Sequence, residues 1–130
     1  MNLFDYRRRE TGEVQIGGKP LGGNHPIRVQ SMTNTSTMDT EACVAQTLRI
    51  AEAGGDYVRL TTQGVREAEN LRNINAGVRA AGCAVPLVAD VHFNPKVADV
   101  AAQYAEKVRI NPGNYVDAAR TFKKLEYTDE

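Results

Sequence analysis

The sequence predicts an α/β fold built on a parallel sheet. Short apolar runs centred near Val29, Val58, Val88 and Val108 alternate with segments whose apolar residues repeat at helical spacing. This alternation of short strands and helices is typical of a parallel sheet. The length of 130 residues suits one domain.

Composition and charge are those of an ordinary globular protein. Charged residues make up 25% of the chain and hydrophobic residues 42%. Lys+Arg and Asp+Glu each number 16, so the net charge is zero, which argues against nucleic-acid or membrane-surface binding. No apolar run approaches the ~18 residues of a membrane span. No apolar segment follows the arginines at 7–9, so the start of the sequence does not predict a secretory signal. A cytoplasmic location is therefore expected.

The positions of the two cysteines do not predict a metal or iron–sulfur site. Cys43 and Cys83 lie in separate segments and form no C-x-x-C motif. Two cysteines cannot complete a four-cysteine metal or cluster site. Both are expected to be reduced, small packing residues.

The amino-terminal segment predicts an irregular hairpin. A short strand is expected over 14–16, a turn at Gly17-Gly18, and a second strand that begins at Ile27. Prolines and glycines break the segment between these two strands. The apolar run of the second strand extends over 27–32.

Alternating helices and strands are expected to follow the strand over 27–32. Asp39 predicts the N-cap of a helix that ends at Gly54-Gly55, and a strand is expected over 56–62. The next helix, 65–81, ends near Gly82, and a strand follows over 85–91.

The last predicted elements begin at Asn94. Asn94 and Pro95 predict the N-cap and first turn of a helix whose apolar stripe continues to Tyr104. A strand is expected over 107–110, and the segment from 114 onward looks helical and then polar.

Four parallel units fit two architectures, an open doubly wound sheet and part of a (β/α)₈ barrel, which normally needs ~250 residues. No G-x-G-x-x-G motif supports dinucleotide binding. The polar end of the chain favours half a barrel cut from a longer protein. The exposed edge strands are then expected to pair with another copy of the chain, so that the fragment self-associates, or to be masked by the hairpin.

Polar residues follow each predicted strand at its carboxyl end, where parallel α/β folds hold their ligands. These candidate residues are Gln30, Ser31, Thr33 and Asn34; Arg59, Thr61, Thr62 and Gln63; Asp90 and His92; and Arg109, Asn111 and Asn114. Agreement among four strands is a stronger indication of a binding site than any single residue.

Arg59 and Arg109 lie within apolar runs, so each needs a partner. One interpretation is an internal ion pair with an acidic residue such as Asp56, Asp90 or Glu106. The other is that both arginines bind one multiply charged anion such as a diphosphate, because their forked donors suit phosphate.

Asp90 and His92 share one face of their strand, since strand side chains alternate. They fit a metal site, a structural polar pair, or a site for ligand binding and proton transfer. Metal binding is disfavoured because the only other histidine, His25, lies in the hairpin. Asn111 fits either turn chemistry or a hydrogen bond to a substrate oxygen. The hydroxyl-rich loop over 31–39 fits either helix capping or donors around an anion.

Four stretches together carry a family resemblance: PIRVQSMTNTSTMD, GGDYVRLTT, VPLVADVHFNPKVA and KVRINPGN. In this order the chain resembles the amino-terminal half of the (E)-4-hydroxy-3-methylbut-2-enyl diphosphate synthase family, over residues 13–114. The fold expected from the resemblance is an amino-terminal hairpin with the first four β/α units of a TIM (β/α)₈ barrel. The expected divisions are a tail and hairpin over 1–26, half of the substrate domain over 27–114, and the start of a following segment over 115–130.

The resemblance also implies a function. Family members reductively open 2-C-methyl-D-erythritol 2,4-cyclodiphosphate in isoprenoid biosynthesis, taking electrons from ferredoxin or flavodoxin. By motif, Arg59 and Arg109 match diphosphate-binding arginines, and Asp90 and Asn111 match polar residues near the substrate. Gln30, Thr33 and His92 stand in matching motifs.

The family's 4Fe-4S cluster is bound by a carboxyl-terminal domain that does not occur in these 130 residues, and Cys43 and Cys83 match none of its ligands. The chain is therefore expected to hold part of a substrate site, to bind no cofactor and no metal, and to be inactive alone. Two alternatives remain: a small α/β protein that binds a phosphorylated metabolite without redox chemistry, and a pterin-binding synthase of the dihydropteroate type.

Overall fold

The computed structural model describes residues 9–92 and 94–111. The elements follow in this order: β1 (Glu13–Val14), β2 (Leu21–Gly22), β3 (Gln30–Met32), α1 (Thr40–Glu52), β4 (Tyr57–Thr62), α2 (Val65–Ala80), β5 (Leu87–Val91), α3 (Pro95–Ala101) and β6 (Lys107–Arg109). None of the helices in these ranges has the length and hydrophobicity needed to cross a membrane.

Strands β3 to β6 form one parallel sheet in chain order, β3-β4-β5-β6. Met32 lies opposite Arg59, Thr61 opposite Asp90, and Asp90 opposite Arg109. Each strand is joined to the next through a helix, as the alternating sequence pattern predicts. The expected partial barrel is confirmed as an open parallel sheet with its first helices in place.

Two predicted helix caps are confirmed. Asp39 accepts a hydrogen bond from the Ala42 backbone N–H at 3.1 Å, and Asn94 accepts one from Lys96 at 2.9 Å. Each side-chain oxygen satisfies an N–H group that has no partner within its helix. Both caps lie at the carboxyl end of the sheet, so they fix the loops that surround that end.

The core lies between the sheet and the helices. The sheet residues that face the helices include Val58, Leu60, Leu87, Ala89 and Val91, all fully or almost fully buried. They pack against Leu71, Ile74 and Val78 of α2. Because strand side chains alternate, the residues between them face the opposite side, which becomes the inside of a barrel.

The hairpin lies at the amino-terminal end of that inner face. Ile16 packs with Tyr57 and Val88, the inward-facing residues near the start of β4 and β5. The Tyr57 hydroxyl donates to the Lys19 carbonyl, and the Lys19 ammonium lies 3.2 Å from Asp56. The hairpin therefore covers the amino-terminal end of the inner face.

The amino-terminal hairpin is confirmed, but the predicted position of its second strand was wrong. The strand that pairs with β1 is Leu21–Gly22, not a strand beginning at Ile27. Gly22 adopts φ +95° and a Cβ there would lie 2.2 Å from the Gly12 carbonyl oxygen, so glycine makes this close pairing possible. The glycines that were expected to break the segment instead allow its strand.

Two predicted boundaries shift by three residues each, at the start of β3 and at the end of α3. Strand β3 begins at Gln30 and not at Ile27, and Ile27 and Val29 are 79% and 57% exposed. The prediction placed the start too early because hydrophobicity alone does not show which residues pair with a neighbouring strand. Helix α3 ends at Ala101, and Tyr104 lies in the turn that follows. The helix expected from 114 onward lies outside the described residues.

The sheet has β3 and β6 at its edges, and the hairpin strands form a separate two-stranded sheet. Within the described residues the hairpin therefore masks neither edge by strand pairing. Self-association through these edges stays a prediction.

Candidate functional site

Asp90 is the centre of the candidate site. It is the one charged residue that is buried within the described ranges, with 5% of its side chain exposed. It lies near the carboxyl end of β5, where Leu87, Ala89 and Val91 face the helices. Alternation therefore points Asp90 to the inner face, where a buried carboxylate requires partners.

Arg109 is the stronger of two cationic partners. It lies directly opposite Asp90 in the register of β5 and β6, and its Nη1 donates to Asp90 Oδ1 at 2.8 Å. The contact with Asp90 is made through Nη1, and 42% of the Arg109 side chain is exposed. A charged hydrogen bond of this length is among the stronger contacts in a protein.

Arg59 approaches the same carboxylate from β4. Its Nε lies 3.5 Å from Asp90 Oδ2, a distance that gives electrostatic attraction without a well-formed hydrogen bond. Its Nη2 donates to the sulfur of Met32 on β3 at 3.4 Å. Arg59 is therefore held between a carboxylate and a thioether.

His92 completes the group. Its Nε2 lies 3.9 Å from Asp90 Oδ1, and its side chain is 25% exposed. This distance exceeds a hydrogen bond, so Asp90 interacts more strongly with the two arginines. The structure thus brings together Arg59, Asp90, His92 and Arg109, which sequence reasoning assigned to one site.

The charges of this group do not cancel. One carboxylate faces two guanidinium groups, which leaves one excess positive charge between these three side chains. The carboxylate is buried, but 30% of Arg59 and 42% of Arg109 remain exposed. The predicted ion pair with Asp90 therefore forms, and the binding of an anion by the exposed parts of the two arginines stays a prediction.

The other predicted residues lie elsewhere. Gln30 is exposed and registers with Tyr57, at the level of the hairpin. Thr33 is buried, and alternation places its side chain opposite to that of Met32, on the helix side of the sheet. Asn111 is exposed and follows Arg109 by two residues.

The hydroxyl-rich loop before α1 is occupied by internal hydrogen bonds. The Thr37 hydroxyl donates to the Thr61 carbonyl at 2.5 Å, and the Thr35 hydroxyl to Gln46 at 3.3 Å. The loop lines a cavity of about 180 Å³ beside Thr61 and Glu67. These contacts favour the capping interpretation of the loop over a set of free donors.

Met32 is a site residue that sequence reasoning missed. Its position two residues after Gln30 puts it on the inner face, and the parallel register sets it opposite Arg59. The V-Q-S-M motif could have indicated this contact, because side-chain alternation and strand order together predict that Met32 lies beside Arg59. A methionine in an apolar run does not stand out as a polar partner, however.

The cysteines do not fit an iron–sulfur cluster. Cys43 is buried near the start of α1, while Cys83 follows α2 and lies by Leu48 and Ala51, about two turns further along α1. Burial raises the pKa of the Cys43 thiol, which opposes the thiolate that iron requires; the Thr35 hydroxyl partly offsets this, and Asp39 adds to it. Within 9–92 and 94–111, no cluster of three metal-ligating residues occurs.

Fold and site together define a class of protein: an α/β-barrel domain with a cationic group at the carboxyl end of its strands. The chain belongs to the GcpE TIM-barrel domain family, which it matches over residues 11–129. This result confirms the family that the four sequence motifs indicated.

Relatives of high identity share one name. The chain is 82% identical over 130 residues to a protein of Bacteroides thetaiotaomicron, 78% to one of Phocaeicola vulgatus and 60% to one of Parabacteroides distasonis. Each is a 4-hydroxy-3-methylbut-2-en-1-yl diphosphate synthase (flavodoxin). The whole chain aligns, but it spans only 21% of the length of these relatives.

Solved structures of a dihydropteroate synthase share the fold. A Xanthomonas albilineans dihydropteroate synthase matches with a TM-score of 0.59 and 25% identity, covering 82% of this chain and 43% of that one. A second structure of that enzyme, in complex with 7,8-dihydropteroate, gives 0.56 and 28%, covering 84% and 44%. The much higher identity to the diphosphate synthases decides the family.

Proposed function

We propose that this chain is the substrate-binding, amino-terminal part of a 4-hydroxy-3-methylbut-2-en-1-yl diphosphate synthase, an oxidoreductase of isoprenoid biosynthesis. Its substrate is 2-C-methyl-D-erythritol 2,4-cyclodiphosphate, which the whole enzyme opens reductively to the linear allylic diphosphate. The name shared by relatives of 60% to 82% identity supports this proposal. Residues 27–114 form the amino-terminal half of the barrel that binds the substrate.

The observation that carries the proposal is the pair of arginines on Asp90. A diphosphate needs cationic donors with a fixed direction, and Arg109 presents the edge of its guanidinium that Asp90 does not occupy. Arg59 adds a second guanidinium 3.5 Å from the same carboxylate. The excess positive charge attracts the diphosphate, and the buried carboxylate keeps both arginines at one point of the sheet edge.

The remaining assigned residues have lesser roles in binding. Asn111 follows Arg109 at the carboxyl end of β6 and donates to a substrate oxygen, and His92 lies beside the arginines, where an imidazole suits proton transfer. Gln30 lies two residues before Met32 and Thr33 directly after it, and substrate contacts of both residues stay a prediction.

The electrons come from flavodoxin, as the names of the relatives indicate for those proteins. A 4Fe-4S cluster, which the family resemblance implies for the full-length enzyme, would supply the reducing electrons. Its ligands lie in a part of the enzyme outside these residues, since Cys43 and Cys83 do not fit it. The chain's own residues bind and orient the diphosphate. The expected location of the enzyme is the cytoplasm.

The test is turnover by the full-length protein. With reduced flavodoxin, the protein is expected to convert the cyclodiphosphate to the linear allylic diphosphate. Arg109→Ala is expected to lower kcat/KM, whereas Arg49→Ala, an exposed arginine in the last turn of α1, should leave it unchanged. Binding of the cyclodiphosphate without any reduction would instead indicate a protein that binds a phosphorylated metabolite.

A further inference from the structure

Arg59 has an unusual set of partners. Its Nε is buried and makes no hydrogen bond, although Asp90 Oδ2 lies 3.5 Å away. Its Nη2 donates a hydrogen bond to Met32 Sδ at 3.4 Å. The direction of this guanidinium thus depends on a thioether as well as on a carboxylate.

The position of Met32 is set by the sheet. Met32 and Arg59 lie directly opposite each other in the parallel register of β3 and β4. Met32 is partly buried, with Ser31 before it exposed. Because the register sets the Met32 backbone opposite Arg59, the sulfur lies within reach of the guanidinium.

A thioether has a property that suits this position. Sulfur is a weak hydrogen-bond acceptor and carries no charge. It can hold one edge of the Arg59 guanidinium without reducing the excess positive charge of the group. A carboxylate at the same place would accept a stronger hydrogen bond but would cancel that charge.

We propose that Met32 is a positioning residue, which aims the Arg59 guanidinium at the diphosphate of the substrate through its sulfur. This inference rests on the proposed function, because the anion it serves is the one assigned there. Met32 itself touches Arg59 and not the substrate. Its removal should therefore change the binding of substrate more than the rate of its conversion.

The test compares three substitutions of Met32 in the full-length protein. Met32→Leu keeps the volume and loses the acceptor, and KM for the cyclodiphosphate is expected to rise about threefold to fivefold with kcat unchanged. Met32→Gln supplies a neutral oxygen acceptor of similar length and should return KM to the wild-type value or below it. Met32→Glu cancels the excess charge and should raise KM about tenfold or more.

The order of the leucine and glutamine variants separates positioning from packing. If Met32 served only to fill space, leucine would be tolerated and glutamine would be the poorer substitute. Leucine equal to wild type would overturn the inference. If Met32→Gln prevents folding, shown by a lost thermal transition, the double variant Met32→Leu with Arg59→Ala replaces it. A KM no higher than that of Arg59→Ala alone supports positioning, and an additive rise in KM contradicts it.

Met38 provides the matched control. It is 45% exposed on the loop before α1, and Met38→Leu and Met38→Gln are expected to leave KM unchanged. Arg59→Ala distinguishes the two proposals. If Arg59→Ala leaves KM unchanged, the proposed diphosphate site fails; if it raises KM while Met32→Leu does not, only the role of Met32 is wrong.

Discussion

Arg109 and Asp90 lie directly opposite each other on adjacent parallel strands and share a hydrogen bond of 2.8 Å. The carboxylate is buried, whereas the guanidinium is 42% exposed at the carboxyl end of the sheet. The pair therefore has two consequences. It stabilises the inner face of the sheet, and it fixes a cation where a ligand can reach it.

The first consequence predicts the effect of Asp90→Asn on stability. Without the carboxylate, Arg59 and Arg109 lose their shared counter-charge, and an amide satisfies them poorly. We expect a loss of about 1–3 kcal/mol in the free energy of unfolding, because both arginines keep partial access to water. Urea denaturation followed by circular dichroism measures it.

The control for Asp90 is Asp99→Asn, an exposed carboxylate on α3. Its effect should stay within about 0.5 kcal/mol, as is usual for surface substitutions. An equal effect of the two substitutions would show that the Asp90 ion pairs do not stabilise the sheet.

Asp56 predicts a dependence of stability on pH. The Val29 backbone N–H, which donates to Asp56 Oδ2 at 2.8 Å, lowers the pKa of Asp56 below its ordinary value of 3.8. Lys19 and Arg28 lower the pKa further, while partial desolvation opposes them. This contribution to stability is fully present above pH 3.8 and is lost as the pH falls through the lowered pKa.

The test compares wild type with Asp56→Asn at pH 6 and at pH 3. Wild type should be the more stable at pH 6, and the difference in free energy of unfolding should shrink at pH 3. Glu41→Asn is a suitable control, since Glu41 is an exposed acid in the first turn of α1. A difference that stays constant between the two pH values would contradict the role of Asp56.

The two cysteines should differ in reactivity. Cys43 is fully buried and its pKa is raised by burial, whereas Cys83 is partly exposed. Iodoacetamide at pH 8 is therefore expected to modify Cys83 first and Cys43 only when the fold opens. Mass spectrometry of the Cys83→Ser variant measures the Cys43 rate alone. Rapid modification of Cys43 in that variant would contradict its buried position.

The 130-residue chain alone is expected to assemble no iron–sulfur cluster. Its two thiols cannot supply the ligands of a 4Fe-4S cluster, and they lie apart on the fold. After incubation with iron and sulfide and removal of the excess by desalting, the chain should show no visible absorbance band and carry no bound iron. The full-length protein treated in parallel is the positive control, and a cluster in the chain alone would refute the proposed division of labour.

The sequence predicted the parallel sheet well because strand and helix periods differ. The valines at 58 and 88 mark strands that are observed at those positions, and Asp39 and Asn94 cap the helices as expected. The hairpin partner was mispredicted because a two-residue strand such as Leu21–Gly22 has no periodicity to detect. The strand forms because the backbone at Gly22 can lie close to Gly12. A glycine in the sequence permits such a contact but does not predict it.

The site was predictable in part. Parallel strands in chain order bring Arg59, Asp90 and Arg109 to one edge, so their proximity follows from topology. The sequence alone did not show on which side of the sheet Thr33 lies or that Gln30 lies level with Tyr57. Both assignments needed the observed strand register. The contact between Arg59 and Met32 required side-chain positions, because sequence pattern alone does not identify a thioether as a hydrogen-bond partner.

The central claim is that Arg59 and Arg109 bind the diphosphate of the substrate. Isothermal titration of the cyclodiphosphate into the full-length protein tests this claim most directly, with Arg59→Ala and Arg109→Ala compared with Arg49→Ala. Each site variant is expected to weaken binding about 10- to 100-fold while keeping the wild-type circular dichroism spectrum, and Arg49→Ala should bind as wild type does. Unchanged affinity in both site variants, or loss of the fold in both, would contradict the claim and leave the arginines as structural partners of Asp90.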